Sequence, residues 1–302
     1  MAMGGLLAAS AFGCAPPTGR SRTSSVTQVG EFDVASYCDL AGRAGLADLT
    51  GSSAIVCDPV AEGADEALPH CRVLVADAAG RIAESPLDGV VAALRAADGR
   101  FVVLTEDERL VLHDGRRELR QLAPWAAEPS LDRAGERVAF VAAPAGAQRA
   151  DLGDPTRIVV LDIADNRLSV VTEDADASAP IFVPDGSALL FVSTAEGVAS
   201  IVRAELADGR TTRLTNDGAI DVGQGFVPTY ERQLAWAGSD TLVFAALTGD
   251  DLSELWALDA RTGDAHRVGE GSFPIGTEDG HVVVADPTSS RCPVELNLEV
   301  TP

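Results

Sequence analysis

"APIFVPDGSALLFVSTAEG" (residues 179–197) joins a tight turn to a run of strand formers. Pro184 presets φ, Asp185 can bond the neighbouring backbone and Gly186 relaxes the exit, so the chain reverses between "PIFV" and "ALLFVS". Weaker copies of this two-strand unit are "VAALRAADGRFVVLT", "EPSLDRAGERVAFVAA", "QLAWAGSDTLVFAAL" and "PIGTEDGHVVVAD". A second kind of hairpin alternates with them: "RVLVADAAGRIAES", "RLVLHDGRRELRQL", "RIVVLDIADNRLSVVT", "SIVRAELADGRTTRLT" and "ELWALDARTGDAHRVG". Each has alternating or β-branched apolar residues and a turn marker that tolerates positive φ, at Gly80, Gly115, Asn166, Gly209 and Gly263. Four strands per unit, repeated without a long helical pattern, predict an all-β fold, a β-propeller of four-stranded blades. A two-sheet sandwich is the alternative, and it would not produce the recurrence.

The clearest unit, residues 179–218, resembles the PD40 repeat of TolB-like propellers. The likeness rests on Pro184-Asp185-Gly186, on Leu190-Phe191-Val192-Ser193 and on the closing Arg213-Leu214-Thr215. It extends to residues 126–173 and implies blade form over about residues 29–302. The separate N-terminal domain and partner-binding segment of TolB are not recognisable here, so the resemblance implies architecture and not TolB's task.

Six blades follow if residues 31–88 form one irregular blade; five is the alternative. The segment "CPVELNLEV" has no hairpin partner after it, and an open last blade would expose a strand edge. An N-terminal strand near "SSVTQVGEFDV" is expected to complete that blade and close the ring. This arrangement brings Cys38 near Cys292, while Cys57 ends one strand and Cys71 starts its neighbour. Disulfides Cys38–Cys292 and Cys57–Cys71 are therefore expected, one of three possible connectivities. In the chain-entropy account the long clasp would contribute on the order of 5 kcal/mol.

The first 14 residues, "MAMGGLLAASAFGC", combine an apolar run too short to span a bilayer with small residues before a cysteine. They resemble a bacterial lipoprotein signal, which implies lipidation at Cys14. Ordinary signal cleavage after Ala9-Ser10-Ala11, releasing a soluble periplasmic or secreted protein, is the rival. Residues 15–28, rich in Pro, Ser and Thr, read as a flexible tether, and 29–302 as the propeller domain. With Cys14 set aside, four cysteines remain, which suits two disulfides in an oxidising cell envelope.

The net charge of −23 excludes nucleic acid and anionic lipid as partners, both of which need clustered basic residues. Contact with a membrane is expected only through the N-terminal lipid. The chain has no lysine, which excludes Schiff-base chemistry. Gly-x-Ser-x-Gly, His-Glu-x-x-His, P-loop and Rossmann glycine patterns are absent. The four histidines, His70, His113, His266 and His281, are scattered and read as structural. No catalytic residue, metal ligand or cofactor is assigned. A Ca²⁺ site at Asn216, Asp217 and Asp221 is a minor alternative, lacking the spacing of an EF-hand loop.

The acids have the more informative distribution. Loops joining the second and third strands of a blade, and loops joining blades, emerge on one face. Glu106, Asp107, Glu108, Asp174, Asp176, Asp217 and Asp221 lie in such loops. The opposite turns mix acids with Arg81, Arg116, Arg117, Arg167 and Arg210. The functional reading is a monomeric, non-enzymatic envelope lipoprotein whose acidic face binds a cationic protein or peptide. A solvated surface that keeps an acidic protein soluble explains the same charges. The competing class is a propeller hydrolase or lactonase with a metal in the central channel.

Overall fold

The computed structural model describes residues 28–29, 32–33, 45–50, 53–57, 71–76, 82–84, 87, 90–148, 150, 156–173, 177–195, 199–215, 234–247, 253–270, 272–276, 282–285 and 294–296. Among them there are strands and turns and no helix. A small two-stranded sheet, β1 (Gln28–Val29) and β2 (Phe32–Asp33), comes first. Six larger antiparallel sheets follow in chain order. They are β3 (Gly45–Thr50) to β6 (Ile82–Glu84) through β4 (Ser53–Cys57) and β5 (Cys71–Ala76); then β7 (Val90–Arg95), β8 (Phe101–Thr105), β9 (Leu110–His113) and β10 (Glu118–Ala123). The third and fourth are β11 (Ala126–Leu131), β12 (Arg137–Ala142), β13 (Arg157–Asp162) and β14 (Arg167–Thr172); and β15 (Ala177–Phe182), β16 (Ala188–Ser193), β17 (Ser200–Glu205) and β18 (Thr211–Arg213). The last two are β19 (Leu234–Ala237), β20 (Thr241–Leu247), β21 (Ser253–Asp259) and β22 (Ala265–Glu270); and β23 (Ser272–Gly276), β24 (Val282–Ala285) and β25 (Val294–Leu296).

Within each sheet every strand pairs with the next one along the chain, as hairpin connections require. The first strand of each sheet touches the first strand of the following sheet, and β23 touches β3, so these strands form a closed cycle. That cycle is the inner wall of a β-propeller, and the space within it is the central channel.

The core lies between sheets, and strand alternation decides which side of it each residue joins. In β12, Val138, Phe140 and Ala142 pack with the second sheet, while Ala139 packs with the fourth. In β16, Leu189 and Phe191 face the third sheet, whereas Ala188, Leu190 and Val192 face the fifth. In β20, Leu242 and Phe244 pack with the fourth sheet and Val243 packs with Val282 of the last. A middle strand buried on both faces cannot alternate apolar with polar, which is why "RVAFVA", "ALLFVS" and "TLVFAAL" are nearly continuous apolar runs. Outer strands meet solvent: Arg167 to Val170 of β14 are all exposed.

Turns add a second layer of contacts. Ala97 N donates to Gly135 O (3.1 Å), joining the first turns of the second and third sheets. Gly135 has φ +66°, and a Cβ there would lie 2.5 Å from Ala97 N, so both conformation and space require glycine.

The expectation that an N-terminal strand completes the last sheet is not met by the described residues. β1 and β2 pair with each other in the register Val29↔Phe32. Closure between neighbours in sequence costs less chain entropy than a pairing across the whole domain. The last sheet has three described strands, β23, β24 and β25. Cys14, Cys38 and Cys292 lie outside the described residues.

Two outcomes follow from this packing. Phe191→Ala, which empties a seam contacted from both sides, is expected to destabilise the protein by about 3–5 kcal/mol in denaturant unfolding. Cys57 and Cys71 are Cα partners in the β4–β5 register. Such partners sit about 4.5–5.5 Å apart, inside the range of about 4.4–6.8 Å that a disulfide spans. The Cys57–Cys71 bond therefore stands as a proposal: peptide mapping without reductant is expected to recover the two cysteines linked, and finding both as free thiols would exclude it.

Candidate functional site

Glu106, Asp107 and Glu108 occupy the turn between β8 and β9. The turn is closed by Glu108 N donating to Thr105 O (2.8 Å) and Thr105 N donating to Arg109 O (3.0 Å), with Glu108 at φ +63°. Its place in the ring is set by the connection leading into the third sheet. Ala126 N donates to Glu108 O (2.9 Å), and the buried Trp125 indole donates to Glu108 Oε2 (3.0 Å). A second-to-third-strand turn and a sheet-to-sheet connection thus meet on one face, as the topology requires.

The three acids have different duties there. The carboxylate of Glu108 is held by Trp125. Asp107 accepts from the Thr105 hydroxyl (2.5 Å) and from Arg109 Nε (2.7 Å), and Arg109 also reaches Glu118 (3.1 Å). The Thr105 hydroxyl and the Arg109 guanidinium together hold the Asp107 carboxyl below its ordinary range. Glu106 is exposed. The acidic potential of this turn is therefore partly neutralised from within. Asp174, Asp176, Asp217 and Asp221 lie outside the described residues.

The other face is built from first-to-second-strand and third-to-fourth-strand turns, and a repeated backbone bond ties them together. Ile163 N donates to Glu136 O, Leu206 N to Ser187 O and Ala260 N to Asp240 O (3.0, 3.0 and 2.8 Å). Acids here build the turns. Asp114 Oδ1 accepts from Arg116 N and Arg117 N, Asp162 Oδ1 from Ala164 N and Asp165 N, and Asp259 Oδ1 from Arg261 N and Thr262 N. Carboxylates that accept backbone N–H groups in this way favour the charged form, and Asp114 and Asp259 are held below their ordinary value. The signal was present in the sequence as an Asp opening each turn of "HDGRR", "LDIADN" and "LDARTG". His113 also belongs to the fabric: its Nδ1 accepts from Gly115 N (2.9 Å), and burial lowers its pKa.

Two further residues, not singled out by sequence, span the seam between the third and fourth sheets. Arg137 forms an ion pair with buried Asp132 (2.8 Å), donates to Gly186 O (2.9 Å) and lies over the Phe182 ring at 5.2 Å. Asp132 also accepts from Glu136 N and Arg137 N, so its charge is fully engaged. Beside this lock, Arg137, Val160, Asp162, Arg167, Glu205 and Gly209 help line a groove of about 230 Å³. Closer to the axis, Glu128 of β11 accepts a hydrogen bond from Ala179 N of β15 (2.5 Å). No group of three or more His, Cys, Asp and Glu side chains suited to a metal ion occurs among the described residues.

Solved structures share this architecture. TolB from Acinetobacter baumannii aligns with a TM-score of 0.53 and 18% identity, over 76% of this chain and 60% of that one. A structure assigned as TolB from Agrobacterium tumefaciens aligns at 0.52 and 13%, over 76% of this chain and 83% of the other. Oligogalacturonate lyase from Vibrio parahaemolyticus aligns at 0.53 and 11%, over 82% and 72%. The chain spans about 60% of the length of the Acinetobacter TolB. At these identities the likeness is one of fold: the chain has a TolB-like β-propeller fold, shared by a lyase. No protein-family model matches the sequence, and no curated protein does either.

The turn acids have a pH signature. Asp98, Asp107, Asp114, Asp185 and Asp259 are all held below their ordinary value of 3.8. The stability they contribute is present above that value and is lost as pH falls through their depressed folded values. Asp259→Asn keeps an acceptor in the turn and removes the ionisation. It is expected to unfold at a lower temperature than the wild type at neutral pH, with the difference closing as pH falls below 3.8.

Proposed function

We propose that this protein is a non-enzymatic β-propeller of the bacterial cell envelope that binds protein or peptide partners of positive charge through its acidic loop face. Its domain begins at residue 29 and is tethered through residues 15–28 to a lipid on Cys14. The observation that carries this reading is the position of the Glu106–Glu108 turn. It stands on the loop face against the Trp125 connection, with Glu106 directed into solvent, on a chain of net charge −23. A field of that sign attracts cationic partners and speeds their encounter, and salt weakens it.

The test uses a fluorescent oligo-arginine peptide as probe and the double variant Glu106→Gln, Asp107→Asn, with Glu108 kept because it holds Trp125. Binding to the wild type is expected to weaken from low to high salt, and the variant to bind several-fold more weakly at low salt. Equal affinity of variant and wild type for the peptide would overturn the assignment to this face.

A further inference from the structure

The inner strands of the third and fourth sheets carry the same irregularity. The β11–β12 register slips between Ala127 and Ser130, and the β15–β16 register slips between Ser178 and Ile181. Each bulge contains a residue in left-handed backbone followed by proline: Glu128-Pro129 (φ +50°) and Ala179-Pro180 (φ +49°). Left-handed backbone is unfavourable for non-glycine residues, and bulges in strands that line a cavity re-aim side chains. Here the bulge takes Ala179 N–H out of the ladder, and the Glu128 carboxylate crosses the seam to accept it at 2.5 Å.

One oxygen of Glu128 is thereby engaged; the other has no partner among the described residues, and the residue keeps part of its surface open to solvent. Among the described residues no cation compensates it. Of the elements packed against β11, β8 and β15 carry no ionisable side chain, and β7 carries Arg95, which is exposed. β12 carries Arg137, which is committed to Asp132 and to Gly186 O. Sheet geometry has thus fixed a carboxylate on the inner wall, with its charge unmatched by the described residues around it.

We propose that Glu128 is the anionic anchor of a subsite on the channel wall for an organic cation, a guanidinium or ammonium group. Ala179 N–H orients the carboxylate through one oxygen and leaves the other to accept from the ligand. This subsite lies on the inner wall, apart from the Glu106 turn, and does not depend on the loop face being the docking surface.

The titration behaviour agrees in sign. Burial pushes the Glu128 carboxyl up to about 7, opposed by the hydrogen bond from Ala179 N. A carboxyl raised in the folded state stabilises the fold below its ordinary value of 4.5, and that contribution is lost as pH rises through about 7. Above that point the protein holds a charge it pays to keep, and a bound cation offsets that cost. Binding must therefore favour the ionised form and release a proton when it occurs at lower pH.

The probe is N-acetyl-arginine amide, whose charge does not change over the range studied; N-acetyl-norleucine amide is the uncharged control. Calorimetry of the full chain between pH 5.5 and 8.5 is expected to detect the arginine probe and not the control. Affinity should rise by up to about tenfold per pH unit below the titration and level off above it. Near pH 6, heats measured in buffers of different ionisation enthalpy should report proton release. Glu128→Gln keeps an acceptor for Ala179 N–H and should abolish both the pH dependence and the proton release. Should that variant fail to fold, the wild-type pH profile and proton release decide alone. A flat profile, no binding at any pH, or unchanged binding in a folded Glu128→Gln would each overturn the proposal. Loss of oligo-arginine affinity in the Glu106→Gln, Asp107→Asn variant would leave it untouched.

Discussion

The middle strands β12, β16 and β20 must each satisfy two neighbours at once. Phe191 faces back into the third sheet while Leu190, beside it in sequence, faces forward into the fifth. Neither sheet can be repacked without disturbing the other, so the core is a chain of shared seams. Close packing makes such seams intolerant of volume changes. This constraint explains the composition of the repeat: small alanines and branched residues alternate with a single large Phe at Phe140, Phe191 and Phe244, all fully buried. In β12, β16 and β20 this one bulky residue fills the gap that radial packing leaves, and added volume there would strain the packing.

The seams are locked by polar contacts at their ends. Arg137 joins the third sheet to the fourth near the turns, Glu128 joins the same pair at the inner wall, and Trp236 Nε1 reaches back from the fifth sheet to Phe182 O (2.6 Å). Arg120 does the same from the second sheet to Ile163 O (2.5 Å). Apolar seams alone fix distance poorly along the direction in which sheets can slide; hydrogen bonds to specific carbonyls fix register. The locks accept or donate to backbone, which every residue supplies, so they can be built on a divergent repeat.

That division explains what could be read in the sequence. The hairpins β5–β6, β9–β10, β13–β14, β17–β18 and β21–β22 fall where alternation and a turn residue indicate, because both signals are local. The N-terminal strand expected in the last sheet rested on an argument about ring closure, which is not local, and among the described residues β1 pairs with β2 instead. Arg137 and Glu128 were missed for a different reason. Their partners, Gly186 and Ala179, are 49 and 51 residues away, about one repeat. Nothing in "EPSLDRAGER" distinguishes a Glu that caps the next sheet from one in solvent. The one signal the sequence carries is the equal spacing of Glu128-Pro129 and Ala179-Pro180 from the turn glycines Gly135 and Gly186, and by itself it names no role.

The distribution of acids then acquires a different meaning from the one suggested by net charge. On the turn face, aspartates such as Asp114 and Asp259 are consumed by backbone N–H groups. On the loop face, Asp107 is paired with Arg109 and Glu108 with Trp125. A charge already holding a donor has less to offer a ligand, since binding must first break or share that bond. Recognition is therefore sought where a carboxylate is held in place without being fully used. Glu106 meets the condition of exposure without the burial that strengthens electrostatics; Glu128 is part-buried, with one oxygen engaged and the other without a partner among the described residues. A low-dielectric wall magnifies what a single charge can do. A protein with 46 acidic residues can thus owe its selectivity to very few of them.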